Sequence, residues 1–223
     1  LIKIGNKEDG CYVIKVQKLQ SQYYITLKIL HKNYKIILSE YEEKIISNLI
    51  FVLTFFIINK INTKIIINNI NKIPKIEGRG SIHNVLLNNF KVRLIDQSYN
   101  ANPETMTESI KSFSMIKNNR RDKILILGNM NELGVKSYDH HIKVIKEIEK
   151  YQFDEVILSG DFFKKTLSIN HKLKNNYVYK NSSQNIMSYL KKKLHKNAII
   201  MAKCSNKTEV NKFVKLLKLN RKG

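Results

Sequence analysis

Asp96-Gln97-Ser98-Tyr99-Asn100-Ala101-Asn102-Pro103 is the stretch that decides how this chain is read. It follows a short apolar run, Val92 to Ile95, that contains a single arginine, and it precedes a helical pattern from Glu104 to about Ile116. A strand therefore ends in a polar loop, and the loop opens a helix. Asn102 is a favourable N-cap, and Pro103 suits the first helical turn, where its missing N–H needs no partner. Glu104 adds negative charge where the helix dipole favours it. In open α/β sheets, the carboxyl end of a strand meeting a helix start is the usual place for a ligand.

Beyond this stretch the alternation repeats. Strand patterns at Ile124–Leu127, Glu155–Leu158, Tyr177–Tyr179 and Ala198–Met201 are each followed by a helical one: about 137–150, a short helix after Ser159-Gly160-Asp161, about 183–194, and about 207–218. Repeated strand–helix units predict a Rossmann-like α/β domain, a mostly parallel sheet with helices on both faces. The last four residues, 220–223, are expected to fray. Neither an internal repeat nor heptads are present.

Upstream the pattern differs. Cys11–Val16 and Tyr23–Leu30 mix β-branched and aromatic residues, and Asn33 marks a turn before Tyr34–Leu38, so residues 1–40 read as a three-stranded meander. Glu40 to Ile58 reads as a helix. Its apolar stretch from Ile45, IISNLIFVLTFFII, is shorter than the roughly 20 residues that span a bilayer, so a buried helix is expected and no membrane anchor. A short helix and a linker are expected over 59–76, with Pro74 near the end. Glu77-Gly78-Arg79-Gly80 breaks the composition, and the domain boundary is placed there, giving 1–76 and 77–223.

The 223 residues carry 40 Lys+Arg against 18 Asp+Glu, a formal net charge of +22. At face value this points to nucleic acid or an anionic surface. The lysines are spread along the whole chain, however, and Ile and Asn are abundant with them, a pattern that fits a genome rich in A and T. A nucleic-acid footprint needs clustering, so nucleic acid is not the expected partner. Cys11 and Cys204 form no CxxC pair and fit a reduced, cytoplasmic protein. Leu1 to Lys7 contain no apolar h-region, so a signal peptide is not expected.

DQSYNANP resembles the DDSYNANP signature of the Mur ligases, and within that family of the members that add D-alanyl-D-alanine. Gly78-Arg79 is similar to the family's Gly-Arg at the entrance to its C-terminal domain. Leu127-Gly128-Asn129-Met130-Asn131-Glu132-Leu133-Gly134, followed by His141, resembles the LGDMxELG segment and its later histidine. The likeness covers roughly 77–220 and is weak before it. It implies a Mur ligase C-terminal domain preceded by the β-rich tail of the central ATP-binding domain. The implied reaction is ATP-dependent ligation of D-alanyl-D-alanine to UDP-N-acetylmuramoyl-tripeptide through an acyl phosphate, in peptidoglycan synthesis, with ATP and Mg2+.

By the same resemblance, Arg79 approaches the nucleotide's phosphates, and Asp96, Tyr99, Asn100 and Asn102 face its ribose and base. Asn102 is equally explained as a helix cap, and Tyr99 as a core aromatic with a wet hydroxyl. Glu132, His141, Lys203 and Ser205 are the candidate substrate contacts, His141 either touching substrate or orienting its loop. No residue is assigned a catalytic role, and the spacing of Asp139, His140 and His141 does not make a metal site. The chain departs from the family pattern at Gln97 and Asn129, each replacing Asp, and at Cys204 and Asn206, which replace the Gly and Arg of a KGSR segment.

One part is missing. None of the eight glycines belongs to a GxxGK[ST] loop, whose backbone amides would cradle phosphates. Ligation is therefore expected only with a separate chain carrying the N-terminal and central domains. The alternatives are a decayed, inactive remnant of the ligase or a basic nucleic-acid-binding protein.

Overall fold

The structure is a computed structural model that describes residues 10–20, 22–38, 43–72, 76–117, 121–169 and 176–219. The expected helix start at Glu40, Pro74 in the linker and the fraying at 220–223 fall outside these. The chain divides into two compact units, Leu1–Pro74 and Lys75–Gly223.

The first unit holds an antiparallel sheet, β1 (Cys11–Leu19), β2 (Gln22–Ile29) and β3 (Lys32–Leu38), followed by α1 (Glu43–Ile58) and α2 (Lys64–Asn69). Ile25, Leu27, Ile29 and Ile36 of the sheet bury against Ile46, Leu49, Ile50 and Leu53 of α1. Two expectations change here. The turn before β3 falls at Leu30-His31, and Asn33 lies inside the strand opposite Lys28. Leu30 supplies the positive φ, 55°, that a two-residue hairpin turn requires. And α1 is buried on one face only: Phe51 (63 % exposed), Phe55 and Ile58 face outward. Their spacing of four and three residues puts them on one side of the helix.

The second unit is built on a six-stranded sheet in the order β4-β5-β9-β6-β7-β8. Its strands are β4 (Ser81–Leu87), β5 (Phe90–Gln97), β6 (Asp122–Gly128), β7 (Glu155–Ser159), β8 (Tyr177–Tyr179) and β9 (Ala198–Lys203). All neighbours run parallel except β4 and β5, so the fold is the expected α/β with a mostly parallel sheet. The central strands read as continuous apolar runs because helices cover both faces. On one face lie α3 (Pro103–Ser114), α4 (Ser137–Ile148) and α5 (Asp161–Ile169); on the other lie α6 (Ser183–Lys193) and α7 (Glu209–Lys218). Right-handed crossovers give this division: the chain steps from β5 through β6 and β7 to β8 in one direction, then returns to β9 between β5 and β6.

Strand β5 contains the expected strand Val92–Ile95, whereas β4 and its hairpin with β5 were not expected. Asn88 and Asn89, both at positive φ (50° and 66°), make its two-residue turn. Asn-Asn between two apolar runs was the signal for it.

Candidate functional site

The last strand, β9, is inserted between β5 and β6, and this position makes the site. The helices after β5 and β6 pack on one face, and α7, after β9, packs on the other. At their carboxyl ends the three strands therefore part, and a crevice opens at a topological switch point. The loops there are 97–102, 129–136 and 204–208, and 78–80 lies against the first of them.

Asp96 closes β5 and is 1 % exposed. Its Oδ1 accepts from the Ser98 N–H (3.0 Å) and the Ser98 hydroxyl (2.7 Å). Its Oδ2 accepts from the Lys218 ammonium at 2.9 Å, and His83 Nε2 lies 3.8 Å away. Lys218 also donates to Glu77 at 2.6 Å. These two carboxylates outweigh burial and hold the lysine's pKa above its ordinary value. Asn211 donates to the Ser98 carbonyl at 2.9 Å. The start of the loop is thus fixed to α7 from beneath.

Gly78-Arg79-Gly80 fastens the loop from above. The Tyr99 N–H donates to the Gly78 carbonyl (3.1 Å), and the Gly80 N–H to the Asp96 carbonyl (2.8 Å). Gly78 has φ +79°, and a Cβ there would lie 2.8 Å from the Tyr99 nitrogen, so only glycine fits. Between the two glycines, the Arg79 guanidinium stands 4.6 Å from the centroid of the Tyr99 ring. Both side chains are exposed, Tyr99 at 42 %, so the ring is no core aromatic. Asn100 is exposed beside them. Asn102 has the predicted cap geometry: its Oδ1 accepts from the Thr105 N–H at 2.8 Å, with Pro103 at the first helical position.

The other two loops are laced to this one. Ser205 accepts from the Asn131 N–H (2.9 Å) and donates to the Ala101 carbonyl (3.4 Å). The nearly buried Lys203 ammonium donates to the Asn100 carbonyl at 3.3 Å. His141 is completely buried under the 129–134 loop. Its Nε2 accepts from the Met130 N–H (3.1 Å) and its Nδ1 faces the Ser137 carbonyl (2.6 Å), which fixes the neutral Nδ1–H tautomer. Burial, ahead of the opposing Ser137 contact, pushes its pKa down. Both ring nitrogens of His141 are thus engaged within the fold.

Cys204 is buried against Gly128: a Cβ on Gly128 would lie 2.7 Å from the Cys204 Cβ. Burial pushes its thiol up to about 12. Glu132 is exposed at a positive φ of 63°. Among the described residues no group of three or more His, Cys, Asp and Glu side chains is placed to hold a metal.

The structure thus brings Arg79, Tyr99 and Asn100 to the crevice. It puts Asp96, Lys203, Ser205 and His141 beneath, as the ties that shape it. Ser98, His83, Asn211 and Lys218 carry the Asp96 network without any local sequence signal, since Lys218 lies 122 positions from its partner. Chemically, the crevice offers a cation stacked on a ring beside amide groups, a surface for a planar, anionic ligand.

Comparison with known proteins agrees with this architecture. No curated protein sequence matches the chain. Among solved structures, MurF from Acinetobacter baumannii superposes with a TM-score of 0.72 at 15% identity, over 96% of this chain and 46% of that one. The MurF ligase from Thermotoga maritima in complex with ADP gives 0.67 at 16% identity, over 95% and 46%. The UDP-N-acetylmuramate-alanine ligase MurC from Thermotoga maritima gives 0.62 at 12%, over 99% and 48%. The chain therefore spans about half the length of these structures, and at such identities the likeness is one of fold. The sequence model of the family described as "Mur ligase, glutamate ligase domain" matches residues 84–206, more than half of the chain. That match contains the Asp96–Pro103 loop, the Gly128–Gly134 loop and Lys203–Ser205, the same three segments that converge at the switch point, and with it the chain belongs to the Mur ligase family.

Proposed function

We propose that this chain is the C-terminal part of the ligase that adds D-alanyl-D-alanine to UDP-N-acetylmuramoyl-tripeptide, acting in the cytoplasm. In this reading residues 77–223 form the domain that closes over the nucleotide, and residues 1–76 form the tail of the central domain. The N-terminal and central domains, which lie in the half of the related structures that this sequence does not span, supply the phosphate cradle and the UDP-sugar site. ATP, when bound, supplies the phosphoryl group that activates the tripeptide carboxylate for attack by the dipeptide amine.

The observation that carries the proposal is the exposed Arg79–Tyr99 pair at the mouth of the crevice. Arg79 is a permanent, planar cation suited to phosphate. The Tyr99 ring and the Asn100 amide offer a face and polar groups to a base and ribose. Asn102 stays a cap whose exposed side chain borders the same site. Lys203 and the exposed Glu132 flank the crevice on the side proposed for the dipeptide, and Ser205 and His141 hold their loops in place. Among the described residues Mg2+ has no fitting donor set, and Asp96 is committed to Ser98 and Lys218. No step is therefore derived through the metal.

A second reading, a folded but inactive relative, is favoured by one observation. The Asn129 side-chain oxygen is buried without a hydrogen-bond partner among the described residues, where the family pattern has Asp. The test is phosphate release from ATP in the presence of UDP-muramoyl-tripeptide and D-alanyl-D-alanine. It is run with this chain alone, then with the preceding reading frame co-expressed. Activity only in the pair, lost in Arg79→Ala, is the expected result. Silence in both, with the fold intact, supports the inactive relative.

A further inference from the structure

A second concavity lies on the same edge of the sheet, two strands beyond the crevice. It is bounded by α5, the end of β8 and α6, and has a volume of about 610 Å³. That is within the range of small-molecule sites, about 300–1,000 Å³. Its lining includes three lysines, one from each boundary: Lys164 on α5, Lys180 just after β8, and Lys192 on α6. Asn185, Ser188, Tyr189 and Lys192 recur at helical spacing and so present one polar face of α6 to the cleft.

Two of the three ammonium groups are held over aromatic rings. Lys180 Nζ stands 4.5 Å from the Tyr189 centroid, and Lys164 Nζ stands 6.0 Å from that of Tyr179. Tyr189 is itself anchored, its hydroxyl donating to the buried Glu155 at 2.9 Å. Glu155 is in turn occupied by the Asn176 amide at 3.0 Å. Asp161 lies close enough to Tyr179 to raise the phenol's pKa, after burial. Yet among the described residues no carboxylate lies within ion-pair distance of any of the three lysines. The cleft therefore gathers three positive charges, two of them pre-oriented, with amide and hydroxyl donors between them and, among the described residues, no carboxylate paired to them.

We propose that this cleft is a second ligand site, separate from the switch-point crevice, for a small molecule carrying two or more phosphate groups. Lys164, Lys180 and Lys192 are its cations and Asn185 and Ser188 its neutral donors. Lysines bind phosphate as point charges, and three around one concavity match a charge spread along a phosphate chain better than a single carboxylate. Nucleic acid is the less favoured occupant, because the two ring faces that could stack on bases already carry lysines. This inference does not rest on the ligase reading.

The test is calorimetric titration of the full chain with pyrophosphate and with tripolyphosphate at physiological ionic strength. Saturable one-to-one binding is expected. It should weaken by about tenfold or more in the triple variant Lys164→Gln/Lys180→Gln/Lys192→Gln, three charged contacts being removed together. It should persist in Lys15→Gln/Lys32→Gln/Lys35→Gln, which removes three exposed charges from the first unit. It should persist too in Arg79→Ala, which separates this cleft from the crevice. Circular dichroism establishes that each variant is folded. No saturable binding by the wild type, or equal weakening in the first-unit variant, overturns the proposal. So does tighter, steeply salt-dependent binding of an oligothymidylate that the cleft variant abolishes, which makes the cleft a nucleic-acid surface.

Discussion

Replacing Asp96 by alanine tests whether this carboxylate holds the crevice loop together. Asp96 is buried, and three donors converge on it: the Ser98 N–H, the Ser98 hydroxyl and the Lys218 ammonium. In Asp96→Ala the Ser98 hydroxyl still accepts from Asn211, 3.3 Å away, but its own proton loses the Asp96 acceptor. The buried Ser98 N–H is left without that partner, at a cost of about 1–3 kcal/mol. Lys218 loses one charge-assisted bond worth about 1.5–3 kcal/mol. It retains Glu77, but that side chain is 70% exposed, so the surviving pair contributes only about 0–1 kcal/mol. A net loss of about 3 kcal/mol follows, near the low end of the 3–5 kcal/mol that breaking a buried pair costs. For a unit of this size that lowers Tm by about 6–12 °C. Urea unfolding followed by circular dichroism and by tyrosine fluorescence, the chain having no tryptophan, measures it. Lys218→Met should cost less, because Asp96 keeps both Ser98 contacts, and the double variant should reveal a coupling of about 1–2 kcal/mol. A loss below about 0.5 kcal/mol for Asp96→Ala, or strict additivity of the pair, refutes the network as the support of the loop.

Gly128→Ala drives a methyl group to 2.7 Å from the Cys204 Cβ and 3.1 Å from Val210 Cγ2, so overpacking should cost about 1–3 kcal/mol in urea unfolding. Adding Cys204→Gly should make the double variant less destabilised than the sum of the two single ones. His141 is kept neutral by burial, so its folded pKa lies below the unfolded value of 6.5. Above that value neither state is protonated and stability is full. Below it the unfolded chain takes a proton that the folded chain refuses, and stability falls by up to about 1.4 kcal/mol per pH unit. A His141→Gln variant should lack this part of the slope between neutral pH and pH 5, and an unchanged slope would count against the buried neutral form. Because the Cys204 thiol is pushed up to about 12 and both cysteines are buried, a thiol reagent such as DTNB should label neither in the native chain at pH 8 and both after denaturation. Rapid native labelling of Cys204 is the contrary outcome.

Sequence alone determined the second unit's architecture. Continuous apolar runs such as Ile124–Leu127 form strands buried on both faces, the intervening segments carry helical periodicity, and the alternation of the two permits only a mostly parallel sheet. It also determined the loop that matters, because Asn102 and Pro103 are local devices that act over four residues of chain. The strands of the first meander were legible although their turn was not: Leu30-His31 carries no turn signal, since leucine rarely takes a positive φ, whereas the Asn88-Asn89 signal was present and went unread.

Tertiary structure decided the rest. No spacing rule connects Asp96 with Lys218, or Ser205 with both Ala101 and Asn131; the return of β9 between β5 and β6 makes them neighbours. That same insertion separates the candidate residues into those exposed at the crevice, Arg79, Tyr99 and Asn100, and those buried as its frame, Asp96, His141, Lys203 and Ser205. The separation depends on burial, which is a property of packing, so residue type and order along the chain do not contain it.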